Sequence, residues 1–186
     1  MQMSEAITMA DNDRFTFGFY FQTLTRILGS PRQFFSELPE NVGFGKSFGF
    51  LLISSLFFTG ASLTCINEKP VLMAGILLIN AVGMPLIAAG IGFMAMTMAI
   101  GKRVTFTRLF AVYAFAAGVT LLASWIPLLI WLTEPWKWLL IATGMVKGCG
   151  FKWMQAFLII GLSIFVLVLF FWSLGPVILY IRGLAV

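Results

Sequence analysis

The side chains in this sequence that could do chemistry are few, and most lie within or beside long apolar stretches. Asn80 precedes Pro85 by about one helical turn. Its amide could hydrogen-bond a neighbouring helix or a substrate, and an interhelical bond is the expectation. Proline removes one backbone hydrogen bond and clashes with the carbonyl of Ala81, so Pro85 predicts a bend. Arg108 stands a few residues inside an apolar run, close enough to its end to snorkel to the surface. Glu134 and Lys137 have i,i+3 spacing and would pair on a helix, although a salt bridge within a loop is the expected arrangement. These five residues form the candidate polar and bend site. A proton or cation relay usually needs more, and no apolar segment carries two carboxylates.

Catalysis has even less to draw on. Histidine, the commonest general base, is absent. No nucleophile elbow, phosphate loop or Cys/His cluster occurs. Ser54, Ser124 and Ser163 have no Lys, Asp or Glu in their own apolar segments to activate them. The sequence therefore predicts no enzyme, no catalytic residue, no cofactor and no metal.

The elements that must hold these residues are membrane spans. Hydrophobic residues make up 60% of the chain and charged residues 10%, with a mean hydropathy of +1.00. A soluble domain carries about 25% charged residues. From Ser47 to Tyr180 the chain is nearly all apolar, with breaks at Asn67-Glu68-Lys69-Pro70, Gly101-Lys102-Arg103, Glu134-Pro135-Trp136-Lys137 and Lys147-Gly148-Cys149-Gly150. The expectation is an all-α, polytopic transmembrane helical bundle of five spans, at 47–66, 71–100, 104–126, 135–148 and 152–182, after an N-terminal cytoplasmic and interfacial segment, 1–46. With the N-terminus inside, nine basic residues (Arg14, Arg26, Arg32, Lys46, Lys102, Arg103, Arg108, Lys147 and Lys152) lie on the cytoplasmic side. Only three, Lys69, Lys137 and Arg182, lie outside. That is the bias of the positive-inside rule. The +5 net charge is then a matter of topology and anionic headgroups, and nucleic acid is not an expected partner.

The spans are uneven. The second, 30 residues long, would rise about 45 Å and must tilt, bend or protrude. The fourth is short and could borrow Leu128–Leu132. Gly175-Pro176 should bend the fifth. Small residues recur in the second span at Ala74, Ala81, Ala88 and Ala95, with Gly92 on the same face. Ala114 and Gly118 form a similar pair in the third. Small residues permit close helix approach in lipid, which predicts tight packing of spans two and three. Trp125, Trp131, Trp136 and Trp138 cluster at the outer boundary and Trp153 marks the inner one, as in an aromatic belt. Cys65 and Cys149 fall on opposite sides of the bilayer, too far apart for a disulfide.

Residues 1–13 read as a solvated terminus. Met1–Phe15 has neither a basic region nor an apolar core, so no signal peptide is expected. Phe15–Leu28 is too short to span and should lie on the inner leaflet or against the bundle. Ser30 with Gln33 fits a capping box, Pro31 suits the first helical position, and Pro39 closes a short interfacial helix. Its apolar edge is Phe34, Phe35 and Leu38. Arg32, Phe34 and Phe35 are a candidate partner surface, although positioning the first span is the commoner role of such a helix.

From Ser30-Pro31-Arg32-Gln33-Phe34-Phe35 onward the chain resembles the Yip1 domain family, especially its prokaryotic members, which read Pro-x-x-Phe-Phe ahead of a first span. The resemblance continues through Lys46-Ser47-Phe48-Gly49-Phe50, Val104-Thr105-Phe106, Tyr113-Ala114 and Gly144-Met145-Val146, over roughly residues 25 to 180. It implies five transmembrane helices with the N-terminus in the cytosol. It also implies a link to membrane shaping and vesicle trafficking in eukaryotic members. Two functions are expected from these readings. The first is a non-enzymatic membrane protein that organises the bilayer or recruits a membrane-protein partner or a second copy of itself, in a bacterial inner (plasma) membrane, with its N-terminus cytoplasmic and its C-terminus outside. The alternative is a small transporter, lipid-handling protein or channel with a site near the helix breaks.

Overall fold

A computed structural model describes residues 16–39, 42–65, 69–99, 101 and 104–184, with side chains for all of these except 99 and 170–184. The readings of residues 1–13, Arg14, Asn67-Glu68 and Lys102-Arg103 fall outside the described residues. So do those of the side chains at Pro176, Tyr180 and Arg182.

Among the described residues the fold is all helical. Helix α1 runs Phe17–Gly29 and begins where the Thr16 hydroxyl accepts the Phe19 N–H at 3.3 Å. It stops at Ser30, because the residue before a proline is pushed out of helical backbone. Helix α2, Pro31–Ser36, has Pro31 in its first turn, where the missing N–H costs nothing. The expected capping box is not formed: the Ser30 side chain makes no cap, and Gln33 Nε2 donates to Glu37 Oε1 at 2.8 Å instead.

The bundle follows as α3 (Phe44–Leu63), α4 (Pro70–Ala99), α5 (Phe106–Ser124), α6 (Ile130–Gly148) and α7 (Trp153–Leu184). Helices α3, α4 and α5 are each long and apolar enough to cross a membrane, and α7 is apolar over Trp153–Leu169. Helix α4 is continuous through Pro85, and α7 is helical through Gly175-Pro176.

The fourth segment differs from expectation. The chain reverses at Trp125–Ile126 and a 3-10 turn, Pro127–Leu129, so Glu134–Lys137 is no break. Helix α6 starts at Ile130 and carries Pro135 inside it. As the sixth residue of α6, Pro135 removes the one hydrogen bond its N–H would give to the Trp131 carbonyl, and the helix continues. At 19 residues α6 rises about 28 Å, close to the hydrocarbon thickness.

Helix α5 is the centre of the bundle. Every residue from Leu109 to Thr120 is buried, as expected of a helix that is apolar all round. Helices α3, α4 and α6 pack around it, and α7 closes the bundle against α4 and α6. Helix α7 buries Ala156, Ile159, Ile160 and Ser163 and exposes Phe157, Leu158 and Phe165. Helix α4 likewise exposes Val71, Ile79 and Met98. Such apolar outer faces are solvated by lipid chains rather than water.

The closest approaches depend on glycine. A β-carbon at Gly92 of α4 would lie 2.7 Å from the Tyr113 hydroxyl of α5. One at Gly118 would lie 2.7 Å from the Phe50 ring. Gly118 thus brings α5 against α3, not α4, so this member of the second small-residue pair serves a different interface from the one expected.

Candidate functional site

A chamber of about 390 Å³ lies between the helices at the end of the bundle where α5 turns into α6. Its α4 wall carries Asn80, Ala81, Met84, Pro85 and Ala88. Its α5 wall carries Tyr113, Ala117, Thr120, Leu121 and Ser124. Helix α6 supplies Ile130, Glu134, Lys137, Trp138 and Ile141, while Phe58 of α3 and Leu167 of α7 complete it. Helices α4 and α6 have no substantial contact with each other. The chamber stands where that contact would be.

Local sequence explains the opening. Ala81, Ala88 and Ala117 are too small to fill the space, and Pro85 interrupts the hydrogen-bond ladder of α4. The Ala81 carbonyl consequently lacks its usual donor four residues on. Tyr113 sits deepest, eleven residues or about 16 Å along α5 from Ser124. Its side chain is 2% exposed, and its hydroxyl lies near the Ser163 side chain of α7 without a well-aligned hydrogen bond among the described residues.

Four of the five predicted polar and bend residues meet here: Asn80, Pro85, Glu134 and Lys137. Asn80 is exposed at the chamber rim. The interhelical hydrogen bond expected of it is not formed among the described residues. Lys137 Nζ lies 2.6 Å from Glu134 Oε1, and this pair belongs to a helix, not to a loop. The two side chains are 24% and 47% exposed, and exposed pairs contribute about 0–1 kcal/mol. Lys137 Nζ also stands 5.5 Å from the Trp138 ring centroid. Arg108 is elsewhere, in the first turn of α5 at the opposite end from Ser124.

The opposite end of the bundle is covered by α1 and α2. Phe34 and Phe35 are buried and do not present a partner surface. Phe34 packs edge-on against Phe115, and Phe35 fits the notch left by Gly144. The physical reason is that two adjacent phenyl rings gain more by filling the groove between α5 and α6 than by lying exposed. Arg32 remains exposed. Tyr20 of α1 places its hydroxyl 3.1 Å from Ser54 Oγ and its ring 4.9 Å from that of Phe50.

Of the small residues, Ala81, Ala88, Gly92 and Ala95 are buried along α4, Ala74 is half-buried, and Ala114 and Gly118 are buried in α5. Sequence reasoning did not single out Tyr113, Thr120 or Trp138 for this site. Nor did it find the link beside the chamber, where the hydroxyls of Ser124 and Thr133 approach to 3.1 Å across the α5–α6 turn. The signal was weak, since Thr120, Ser124 and Thr133 share their helices with other polar residues such as Arg108, Glu134 and Lys137. Cys65 and Cys149 are both free of disulfides. No cluster of metal-ligating residues occurs among the described residues.

Long apolar helices packed around a buried central one, with aliphatic and aromatic side chains turned outward, define an integral membrane protein. The family model of the Yip1 domain matches residues 25–175, and the chain belongs to that family. No curated protein and no solved structure matches it.

Proposed function

We propose that this Yip1-family protein is a non-enzymatic organiser of the bilayer that crosses it five times, through α3 to α7. In this reading the N-terminus is cytoplasmic, the C-terminus is outside, and the membrane is the inner membrane of a bacterium. The basic residues gathered toward one side and the resemblance to prokaryotic members support that placement.

The observation that carries the reading is the double face of α1. Tyr20, Thr23 and Ile27 are buried against the bundle, whereas Phe17, Phe21 and Leu28 are exposed along a second, apolar stripe. Gln22 and Thr25 occupy a third, polar side. A helix with these three faces lies in the interface, held by protein on one side and by acyl chains on another. It occupies one leaflet only, so it enlarges that leaflet at a fixed position beside the spans. Recruitment of a partner through Phe34 and Phe35 has no comparable support, because both are buried.

The test is reconstitution of the full chain into large vesicles, with vesicle shape followed by electron microscopy. Narrowing or tubulation by the native chain, reduced in the Phe17→Ser/Phe21→Ser/Leu28→Ser variant, is the expected result. Equal shapes with both proteins would refute the reading.

A further inference from the structure

We propose that the chamber between α4, α5, α6 and α7 binds a zwitterionic lipid, one whose head carries both an ammonium and a phosphate. A stretch of its chain lies in the chamber and its head lies on Glu134 and Lys137. This goes beyond the bilayer-organising reading, which rests on the opposite end of the molecule.

The walls state what the body of the ligand must be. Ala81, Ala88, Leu121, Ile141 and Leu167 make most of the lining apolar, with the side chains of Tyr113, Thr120 and Ser124 as polar points on the α5 wall. Within a bilayer the molecules at hand are acyl chains. A volume of about 390 Å³ falls within the roughly 300–1,000 Å³ of ligand pockets, yet is small for a whole two-chain lipid. It takes part of one chain. The absence of substantial contact between α4 and α6 leaves the side through which a chain enters.

The rim states what the head must be. Glu134 and Lys137 present one negative and one positive charge 2.6 Å apart, both partly exposed. A zwitterion presents the reversed pair, so a single ion pair is exchanged for two charge-assisted contacts and no charge is left over. An anionic head would satisfy Lys137 but set its phosphate beside Glu134, and a cationic head would do the converse. Trp138, which already has the Lys137 ammonium near its ring, offers an aromatic face to a ligand ammonium once that lysine turns to phosphate. Asn80, exposed on the facing wall and unbonded among the described residues, adds a neutral donor and acceptor.

The full chain in detergent is titrated with dihexanoyl phosphatidylethanolamine, dihexanoyl phosphatidylglycerol and free phosphoethanolamine, and bound molecules are counted by native mass spectrometry. The proposal expects one phosphatidylethanolamine per chain, weaker phosphatidylglycerol and no phosphoethanolamine. In Glu134→Gln/Lys137→Gln the affinity for phosphatidylethanolamine falls by about tenfold or more, and in Ala88→Phe, which fills the chamber, binding disappears. Ala88 is buried and its replacement can disturb folding, so the decisive variant is the rim pair, whose side chains are partly exposed. The idea is overturned by any of four results: no binding of the zwitterion, equal binding of the anionic lipid, binding of the free head group alone, or unchanged affinity in the rim variant.

Discussion

Gly118 of α5 lies directly against the ring of Phe50 on α3: a β-carbon at residue 118 would stand 2.7 Å from that ring. The same ring lies tilted against that of Tyr20 of α1, with centroids 4.9 Å apart, so one glycine sets the spacing of three helices. Gly118→Val should lower stability by about 1–3 kcal/mol through overpacking. Gly75→Ala, where nothing approaches within 4 Å, should be neutral or gain up to about 1 kcal/mol of helix propensity. Thermal unfolding midpoints in detergent distinguish the two.

The docking of α1 and α2 should depend on Phe35 far more than on Tyr20. Phe35 is fully buried, and Phe35→Ala should cost about 3–5 kcal/mol. Tyr20→Phe removes only the hydroxyl bonded to Ser54, worth about 0.5–1.5 kcal/mol. Limited proteolysis within residues 16–39 should accelerate strongly in the first variant and slightly in the second.

The two cysteines test the proposed topology without added tags. Cys65 is exposed just past the end of α3, and Cys149 is buried at the end of α6. A membrane-impermeant maleimide added to intact cells should modify Cys65 and spare Cys149. Labelling of Cys149 under those conditions, with Cys65 untouched, would invert the assignment.

Without ligand, Lys137→Gln should move stability by no more than about 1 kcal/mol, since its pair with Glu134 is partly solvated. A larger loss in a denaturant series would mean that the pair braces α6 and does not wait for a partner.

Much of the architecture was legible because hydrophobic runs and their polar interruptions are one-dimensional signals. Apolar runs opening at Ser47, Val71, Val104 and Lys152 place the starts of α3, α4, α5 and α7 within about three residues of Phe44, Pro70, Phe106 and Trp153. The α5–α6 junction misled for a definite reason. Pro135, with Glu134 and Lys137, has the composition of a loop, yet it stands in the second turn of a continuous helix, and the reversal uses Pro127 instead. Phe34 and Phe35 show the opposite limit. Their amphipathic edge was plain, but no periodicity says whether an apolar edge meets lipid or Val112 and Gly144. The chamber was readable only in pieces. Asn80, Pro85, Glu134 and Lys137 stood out singly, and only tertiary packing brings residues more than fifty positions apart to one cavity.

The seat of α1 and α2 carries a consequence for biosynthesis. Phe34 and Phe35 rest on Phe115, Gly144 and Gly148, residues translated about a hundred codons later. Tyr20 can find its seat on Ser54 and Phe50 once α3 is made, but Phe35 has no seat until the final turn of α6 has been inserted. Full docking of this segment therefore waits on helices made later, and a nascent chain halted before that point displays an incompletely docked, phenylalanine-rich segment to the cell's quality control.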